Sequence, residues 1–482
     1  MFYSKWTSEK DLKKYLTEVE IGSEMQKSGI QMLSEENKIY IKDDESHSLV
    51  IGSVGSGKTQ AVVLPLVRTI IKANESFLIN DVKGEIMNKV GGELKKRGYN
   101  IIVLDYANLK IGNHYNVLDF PYYLYNNDEK DKAIEMLENI AYYIMHDIDS
   151  TSDPFWEKTA SDYFVGLALY LFDNAKSEEI NLNSIFNLSN DIFKDDKKYD
   201  KLIMNSLDKS SSTYQFLSGT LFSPKETSGG IIATFGQKIK GFVTREKLSS
   251  MMATSDFDFK NIGNEKTAIF VITGTANYAN DLVSILVDEL FYSLDLFKNK
   301  NNRFNLILDE FDSMKPIKDF YNRINYARGN NIKITALIKN LTNLNIVYGT
   351  NYKDLIRMCF NNIIYLLAND LYTLEEISKL CGDTEKGPLI SIQELKTLDN
   401  FEEVILMTRM YPVRTKVLPD YKINWNFDNS ELGFNNLEKN QINLFDIEKF
   451  LKKEYLKLLK EIYERGVSSR IMGDCYCIYD LF

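Results

Sequence analysis

Short apolar runs rich in β-branched residues alternate with longer amphipathic stretches from Ser48 onward. In chain order they read SLVIG, QAVVLPLVRTIIK, SFLIND, GEIMNKVGGELKKRG and NIIVLDY. Apolar runs separated by helix-length segments are typical of βαβ units, whose parallel strands are buried on both faces. The pattern therefore predicts that a βαβαβ segment, ending near Tyr106, begins a parallel sheet.

The alternation stops after Tyr106 and resumes much later in the chain. Residues 122–240 contain helix-length segments instead, most clearly DKAIEMLENIAYYIMHDI and DYFVGLALYLFDNA. Strand-like runs then return as TAIFVITG, FNLILDEF, NIKITALI and NNIIYLLA. The predicted fold class is α/β, with one α/β domain interrupted by an inserted all-α domain. We expect the nucleotide-binding domain, with a lead-in, in residues 1–121 and 241–430, the all-α domain in 122–240, and a C-terminal helical tail in 431–482.

The two ends of the chain have their own patterns. The first forty residues are charged and helix-prone, and Thr7 and Ser8 are placed to cap a helix that begins near Glu9. Near the other end, the segment INLFDIEKFLKKEYLKLLKEIYERG predicts a docking helix. Its apolar residues fall on one helical face: Phe450, Leu451, Tyr455, Leu459 and Ile462.

Composition excludes several classes of protein. With 482 residues, of which 44% are hydrophobic, the chain can bury the cores of two or three domains, so it is not disordered as a whole. A net charge of −10 argues against a protein that coats nucleic acid indiscriminately. Any DNA contact must therefore be local. The most basic local stretch, GQKIKGFVTREK, either faces a DNA-bearing channel or forms a solvated helix face; its cations are Lys238, Lys240, Arg245 and Lys247.

Targeting signals and cysteines indicate a reducing compartment. The sequence contains neither an apolar stretch of the roughly 18 residues that a membrane helix needs nor a signal-peptide core. Four cysteines are too few and too unevenly spaced for a disulfide framework: Cys359, Cys381, Cys475 and Cys477. We expect a cytoplasmic protein.

One glycine-rich segment has the composition and setting of a phosphate-binding loop. It fits G-x-x-x-x-G-K-[ST], follows a strand-like run and precedes a helix-like one; it comprises Gly52, Ser53, Val54, Gly55, Ser56, Gly57, Lys58 and Thr59. Glycines let successive backbone N–H groups face phosphates, Lys58 adds a positive charge, and Thr59 would place its hydroxyl on Mg²⁺. The alternative is a chance glycine-rich turn. Pro65, inside the following helix, removes a hydrogen bond and predicts a kink.

A second candidate motif, a pair of carboxylates, lies at the end of the run FNLILDE. Asp309 would hold Mg²⁺, usually through water. Glu310 would take a proton from the water that attacks the γ-phosphate. The alternative is an acidic turn that caps the next helix. Together with the glycine-rich loop, the two carboxylates favour an ATP-hydrolysing site.

Several further motifs, in order, resemble those of the TraG/TraD-like type IV coupling proteins. DVKGE, beginning at Asp81, is similar to the family's D-P-K-G-E signature, and NHYNVLD to its N-P-L-D region. DPFWEKTA, beginning at Asp153, resembles the F-W-E-x-x-A opening of the family's all-α domain, and LILDEFDSM resembles its acidic D-E-F segment. LTNLNIVYG, ISKLCGDTE and LISIQELKTL are similar to its closing elements, so the resemblance leaves out only the last fifty or so residues.

The resemblance implies a RecA-like P-loop domain with a parallel-rich sheet, assembly into a ring, and ATP hydrolysis coupled to transfer of DNA or its relaxase. It implies that partners are the relaxase with its single- or double-stranded DNA, channel proteins of a conjugative type IV secretion system, and further copies of this chain, as a hexamer. Arg328, in YARGNN, is then a candidate finger that reaches a neighbouring subunit's nucleotide. The alternative is a solvated surface arginine.

Two departures from the family pattern leave other functions open. Lys339 stands where the family usually has a glutamine that senses the γ-phosphate, and a lysine cannot accept a hydrogen bond from water. The pair of membrane helices that many members carry is missing: either it was removed from the N-terminus, or a separate membrane protein anchors the chain at the inner face of the cell membrane. The alternatives are a nucleotide-binding recruitment platform with little ATPase activity, and a DNA segregation motor of the FtsK kind, which the motifs at Asp81 and Asp153 disfavour.

Overall fold

The structure is a computed structural model that describes residues 3–147, 153–194, 198–349, 353–433 and 437–464. Its contacts define two compact units. The first contains the residues up to Asn113 and Phe257–Leu437; the second contains His114–Asp256 and continues from Glu438. The domain boundaries at 121/122, 240/241 and 430/431 stay predictions.

A nine-stranded sheet forms the centre of the first unit. Its strands are β4 Ser48–Gly52, β5 Ser76–Asn80, β6 Asn100–Asp105, β7 Thr267–Ile272, β8 Phe304–Leu308, β9 Ile332–Ile338, β10 Asn362–Leu367, β13 Glu402–Met407 and β14 Val413–Lys416; β11 Asp383–Thr384 and β12 Gly387–Pro388 form a small separate hairpin.

The order of strands in the large sheet is β14-β13-β10-β4-β9-β8-β5-β7-β6. The strands from β4 to β10 are mutually parallel, whereas β13 and β14 add to one edge in antiparallel pairing. Every strand run quoted above is a strand of this sheet, so the predicted α/β fold with a parallel-rich sheet is confirmed.

Helices cover this sheet because apolar side chains recur on the sides that face it. Val63, Val67 and Ile70, in the helix after β4, are buried in one cluster with Val50 and Leu337 of the sheet. Burial of each such side chain contributes roughly 1.5–3 kcal/mol. The helices of this unit are α1 Glu9–Leu12, α2 Leu64–Lys72, α3 Glu85–Lys96, α12 Asn277–Phe297, α13 Phe320–Gly329, α14 Leu341–Tyr348, α15 Lys353–Met358, α16 Leu371–Cys381 and α17 Ile392–Lys396.

The lead-in differs from the helical segment that we expected. Ser8 does cap α1, since its hydroxyl accepts a hydrogen bond from the Asp11 N–H. The residues that follow form a three-stranded antiparallel sheet in the order β1-β3-β2, with β1 Thr17–Glu20, β2 Ile30–Glu35 and β3 Lys38–Lys42.

The physical reason lies in alternation along β3. Ile39 and Ile41 pack with Trp425 on one side of the strand, while Tyr40 joins the main core on the other. Alternation with a period of two favours a strand. The charges that suggested a helix form surface ion pairs across the strands, including Lys38 with Glu18.

The second unit is helical, as predicted. Its described residues contain no β-strand. The helices are α4 Asp119–Tyr125, α5 Lys130–Met145, α6 Pro154–Asn174, α7 Leu182–Lys194, α8 Lys198–Ser206, α9 Ser212–Leu221, α10 Lys225–Val243, α11 Glu246–Met251 and α18 Ile447–Glu464. α6 forms the centre, because its residues from Tyr163 to Phe172 are all buried. Asp153 caps α6 by accepting the Phe155 N–H, and Pro154 follows at a position that needs no N–H donor.

The tail packs on the helical unit at the start of α18. Phe445, just before that helix, is buried, and its ring contacts the rings of Tyr170 and of Phe450 in α18. Its backbone N–H donates to the Ser184 hydroxyl at 3.1 Å. The side chains of Tyr455, Leu459 and Ile462, and the whole of Cys475 and Cys477, lie outside the described residues.

Candidate functional site

The glycine-rich loop occupies the carboxyl end of β4. Gly55 and Gly57 have φ values of 82° and 88°, the left-handed region that glycine enters without steric cost. The Ser53 N–H donates to the Leu367 carbonyl at the end of β10, at 2.8 Å, which fixes the start of the loop. A Cβ on Gly52 would lie 2.8 Å from Cγ of Lys58, so the loop curls too tightly for a side chain there.

The helix after the loop begins in an unusual register. Thr59–Val63 is a turn of π-helix, and the chain becomes α-helical at Leu64. Pro65 has no N–H, so an α-helical register would leave the Ala61 carbonyl without its partner. The π-turn shifts the register before the proline, which then lies in the first turn of α2, where no donor is required. The proline therefore changes the helix type beside the loop.

The loop has unused hydrogen-bonding capacity. The hydroxyl oxygens of Ser53 and Ser56 are buried and have no partner among the described residues. The Lys58 ammonium donates to the carbonyl of Gly52 and, at 3.4 Å, to that of Ser53. Two hydroxyls without partners, next to an ammonium, can donate hydrogen bonds to an anion bound in the loop. Backbone curvature, hydroxyl donors and an ammonium fit a phosphate chain.

Asp309 and Glu310 directly follow β8, so they also lie at the carboxyl ends of the parallel strands. Asn80, at the end of neighbouring β5, donates to the Asp309 carbonyl at 2.8 Å and fixes its backbone. The Asp309 carboxylate accepts the Glu310 N–H at 2.9 Å. Glu310 has a φ of 53°, a conformation that is costly for a side chain other than glycine. Backbone strain of this kind concentrates at functional sites.

Electrostatics link the loop to this acidic turn. Burial lowers the pKa of Lys58, and the carboxylates of Asp309, Asp312 and Glu310 oppose that fall. Burial likewise raises the pKa of Asp309, while the Lys58 ammonium opposes the rise. The Lys58 ammonium and the Asp309 carboxylate therefore lie close enough to act on one another, which brings the two sequence motifs together.

Asp312 and Asp81, which the sequence analysis did not assign to the site, also follow the carboxyl ends of these strands. Asp312 lies in the turn Phe311–Ser313, and its carboxylate accepts the Lys339 N–H at 2.9 Å. Burial raises the pKa of Asp312. Asp81 is buried, accepts the N–H groups of Ile86 and Met87, and has a pKa raised to about 6 by burial. The sequence signal for both was an acidic residue at the carboxyl end of a parallel strand, where ligands bind in such sheets.

The donor set is suited to a magnesium ion that retains water. The described residues contain no group of three or more His, Cys, Asp or Glu side chains that could hold a metal. Thr59 and Asp309 instead offer one hydroxyl and one carboxylate. Mg²⁺ is commonly bound by one or two protein oxygens together with substrate phosphates and water.

Arg328 lies near the amino ends of the parallel strands, whereas the loop of its own chain lies at their carboxyl ends. It is exposed at the end of α13, a few residues before β9 begins, whereas the loop follows the carboxyl end of β4, which is parallel to β9. The seven residues of β9 separate the two ends of the strands by about 23 Å. Arg328 therefore cannot reach the nucleotide site of its own chain.

The basic stretch in the helical unit divides into paired and exposed cations. Lys238 lies 2.6 Å from Asp147 and 3.0 Å from Glu157, with its side chain only 15% exposed. Lys238 is therefore a structural cation paired with carboxylates, and it is not part of a solvated helix face. Lys240, Arg245 and Lys247 are exposed.

The fold and the loop define a protein with a RecA-like P-loop domain and an all-α domain. The chain belongs to the type IV secretory system conjugative DNA transfer family, whose model matches residues 5–387. It is similar to the conjugal transfer protein TraG from Escherichia coli, with 22% identity over 383 residues, covering 70% of this chain and 55% of that protein. The expected resemblance to type IV coupling proteins is thereby confirmed.

Solved structures support the same fold. The bacterial conjugative coupling protein TrwBdeltaN70, in a trigonal form with sulphate, superposes with a TM-score of 0.65 at 16% identity, covering 90% of this chain and 97% of that one. The plasmid coupling protein TrwB in complex with ADP and Mg²⁺ gives 0.63 at 15% identity, with 86% and 94% covered.

The chain spans about half the length of the curated relatives that it matches. In the part of the chain that the structure describes, no helix combines the length and apolarity needed to cross a membrane.

Proposed function

We propose that this chain binds Mg-ATP at Gly52 to Thr59 and hydrolyses it as the coupling ATPase of a conjugative type IV secretion system. The observation that carries the proposal is that Lys58, at the carboxyl end of β4, and Asp309, at the carboxyl end of β8, lie close enough to affect one another electrostatically. An ammonium and a carboxylate at the carboxyl ends of parallel strands suit a site for a phosphate chain and a divalent cation.

The loop residues bind and orient the phosphates. Backbone N–H groups from Ser53 to Thr59 would donate to phosphate oxygens, and the hydroxyls of Ser53 and Ser56 would gain the partners that they lack. Lys58 leaves the loop carbonyls for the phosphate oxygens. Thr59 and Asp309 would hold Mg²⁺, which would offset negative charge on the phosphate chain.

Glu310 activates the water. Its carboxylate accepts a proton as the water oxygen forms a bond to the γ-phosphorus, and the bond from that phosphorus to the β–γ bridging oxygen breaks. ADP leaves with the bridging oxygen, and phosphate is the second product. Arg328 of an adjacent copy in a hexameric ring offsets charge that develops on the transferred group.

Membership of the conjugative DNA transfer family supports the proposed cargo. The proposed substrate is DNA, single- or double-stranded, with its attached relaxase, and the proposed recipients are channel proteins at the inner face of the cell membrane. The net charge of −10 confines any DNA contact to local cations. Lys240 and Lys247 are such cations, because both are exposed.

Phosphate release from Mg-ATP by the purified chain, with and without single- and double-stranded DNA, tests this function. Lys58→Ala should abolish nucleotide binding, and Glu310→Gln should retain binding but lose turnover by at least about 10²-fold. Turnover that persists in both variants would contradict the proposed site.

A second candidate is a recruitment platform that binds nucleotide without hydrolysing it. It is favoured by one contact, the 3.5 Å approach of the Lys339 ammonium to the Glu310 carboxylate, which engages the proposed base. Tight nucleotide binding through Lys58 with no turnover, even with DNA present, would favour the platform.

A further inference from the structure

Lys339 is held at the proposed hydrolytic site by its backbone, while its side chain reaches the catalytic carboxylate. It directly follows β9, at the carboxyl edge of the sheet. Its backbone N–H donates to Asp312 at 2.9 Å. Its ammonium lies 3.5 Å from Oε2 of Glu310 and donates to the Ser313 hydroxyl at 3.3 Å. The backbone is therefore anchored, and the side chain alone can change partner.

The same ammonium acts on the phosphate-binding lysine. Its positive charge contributes to lowering the pKa of Lys58, so both ammonium groups influence the same small volume. Two cations beside one another repel, and the intervening carboxylates offset that repulsion in the protein without nucleotide. A γ-phosphate bound between the two ammonium groups would add negative charge that attracts both of them.

The pair between Lys339 and Glu310 is suited to exchange. The two side chains are 31% and 39% exposed, so water screens their attraction, and neither is enclosed. A lysine side chain is a flexible four-carbon stem with a compact charge, which can turn from one anion to another without moving the backbone. Glu310, in contrast, is fixed by its left-handed backbone and by the bond from its N–H to Asp309.

We propose that Lys339 is a γ-phosphate-dependent positioning residue: it holds the Glu310 carboxylate when no γ-phosphate is bound and transfers to the γ-phosphate when ATP binds. This inference rests on the proposed ATPase function and deepens it. Transfer frees the Glu310 carboxylate to accept a proton from water, so the base becomes available only when the terminal phosphate is present. The exchange moves a cation and breaks no covalent bond.

Equilibrium binding of two probes, ADP and the non-hydrolysable imido analogue of ATP, both with Mg²⁺, tests this exchange on the full chain. Lys339→Met, which keeps length but removes charge, should weaken binding of the analogue by about tenfold and change ADP binding by less than about twofold. Lys386→Met is the matched control, because Lys386 is exposed and outside the site; it should change neither. Retained ADP binding verifies that each variant folds.

A second variant isolates the competition between carboxylate and phosphate. Glu310→Gln removes the competing anion and should strengthen binding of the analogue several-fold in the natural chain, but not in a chain that also carries Lys339→Met. Equal losses for ADP and the analogue in Lys339→Met, or an effect of Glu310→Gln that is independent of Lys339, would overturn the exchange. Failure of the natural chain to bind either probe would overturn the proposed function itself, and this inference with it.

Discussion

Arg68 and Asp420 form a buried bidentate ion pair across 352 residues of sequence. Nε of Arg68 lies 2.7 Å from Oδ1 of Asp420, and Nη2 lies 3.2 Å from Oδ2. Arg68 belongs to α2, the helix that continues from the phosphate-binding loop, and Asp420 follows β14 at the antiparallel edge of the sheet. The pair therefore ties the loop's helix to the last strands of the unit.

Loss of one partner should be strongly destabilising. The two side chains are 8% and 5% exposed, so Arg68→Met would leave the Asp420 carboxylate buried without a cation and lower the free energy of unfolding by about 3–5 kcal/mol. Urea unfolding measures this change. Arg414→Met is the control: its Nε also lies 2.7 Å from a carboxylate, that of Glu402, but Arg414 is 37% exposed, so we expect a loss below about 1 kcal/mol. Similar losses in both variants would contradict the role of burial.

The loop glycines permit a matched comparison. Alanine at either Gly55 or Gly57 meets the same backbone penalty of roughly 1–2 kcal/mol, because both positions have positive φ. A Cβ at Gly57 would also lie 3.1 Å from Cε1 of Phe401, whereas one at Gly55 meets nothing within 4 Å. We expect Gly57→Ala to weaken ADP binding more than Gly55→Ala does.

The extra effect at Gly57 should depend on the aromatic ring. In a chain that already carries Phe401→Leu, the difference between the two alanine variants in ADP dissociation constant should shrink. If the difference persists unchanged, the ring of Phe401 does not set the shape of the loop.

His47, directly before β4, should make the stability of the nucleotide-binding unit depend on pH. Its Nδ1 accepts the Ile334 N–H at 3.1 Å, so its Nε2 must donate to the Ile324 carbonyl at 2.9 Å, which is the neutral form. Burial lowers the pKa of His47 from 6.5 to about 4. Between these values the unfolded chain binds a proton that the folded chain does not, so stability is lost as pH falls below 6.5.

The His47 contribution can be isolated from opposing groups. From pH 6.5 to pH 5 it amounts to about 2 kcal/mol of unfolding free energy. Asp81, whose pKa is raised to about 6, acts in the opposite direction, so the difference between the natural chain and His47→Gln is the quantity to measure. A difference that does not change between pH 7 and pH 5 would show that His47 is not held neutral.

Arg328 should act only between subunits. Arg328→Ala alone should lower turnover by about 10³-fold, the typical effect of an arginine finger. Mixing Arg328→Ala subunits with Lys58→Ala subunits should recover part of the activity, because one kind supplies an intact loop and the other an intact arginine at the same interface. Arg328→Lys should not substitute, since it lacks the planar fork. Mixtures as inactive as their components would argue that Arg328 is a solvated surface residue.

Local motifs were predictable from sequence because their chemistry is local. The loop from Gly52 to Thr59 and the acidic turn at Asp309 each follow an apolar strand directly, so spacing alone defined them. The lead-in strands were missed because the charges of Glu18 and Lys38 obscured the alternation of Ile39 and Ile41.

Contacts between distant segments could not be predicted. Asn80 and Asp309 meet only because β5 and β8 are neighbours, and the order of parallel strands does not follow from one sequence. The approach of Lys339 to Glu310 depends in the same way on β9 lying beside β8. Sequence identified Lys339 as an unusual residue, but its partner required the sheet.

The pairing of β6 with β7 also bears on how such a chain can evolve. These strands are hydrogen-bonded from Asn100 and Thr267 to Asp105 and Ile272, yet the helical segment His114–Asp256 is inserted in the connection between them. A connection between neighbouring parallel strands needs only about a dozen residues. The sheet therefore constrains this insertion at its two ends alone. The insertion can therefore be lengthened, resurfaced or exchanged as a cassette without changing the register of β6 against β7 or the loop at the end of β4.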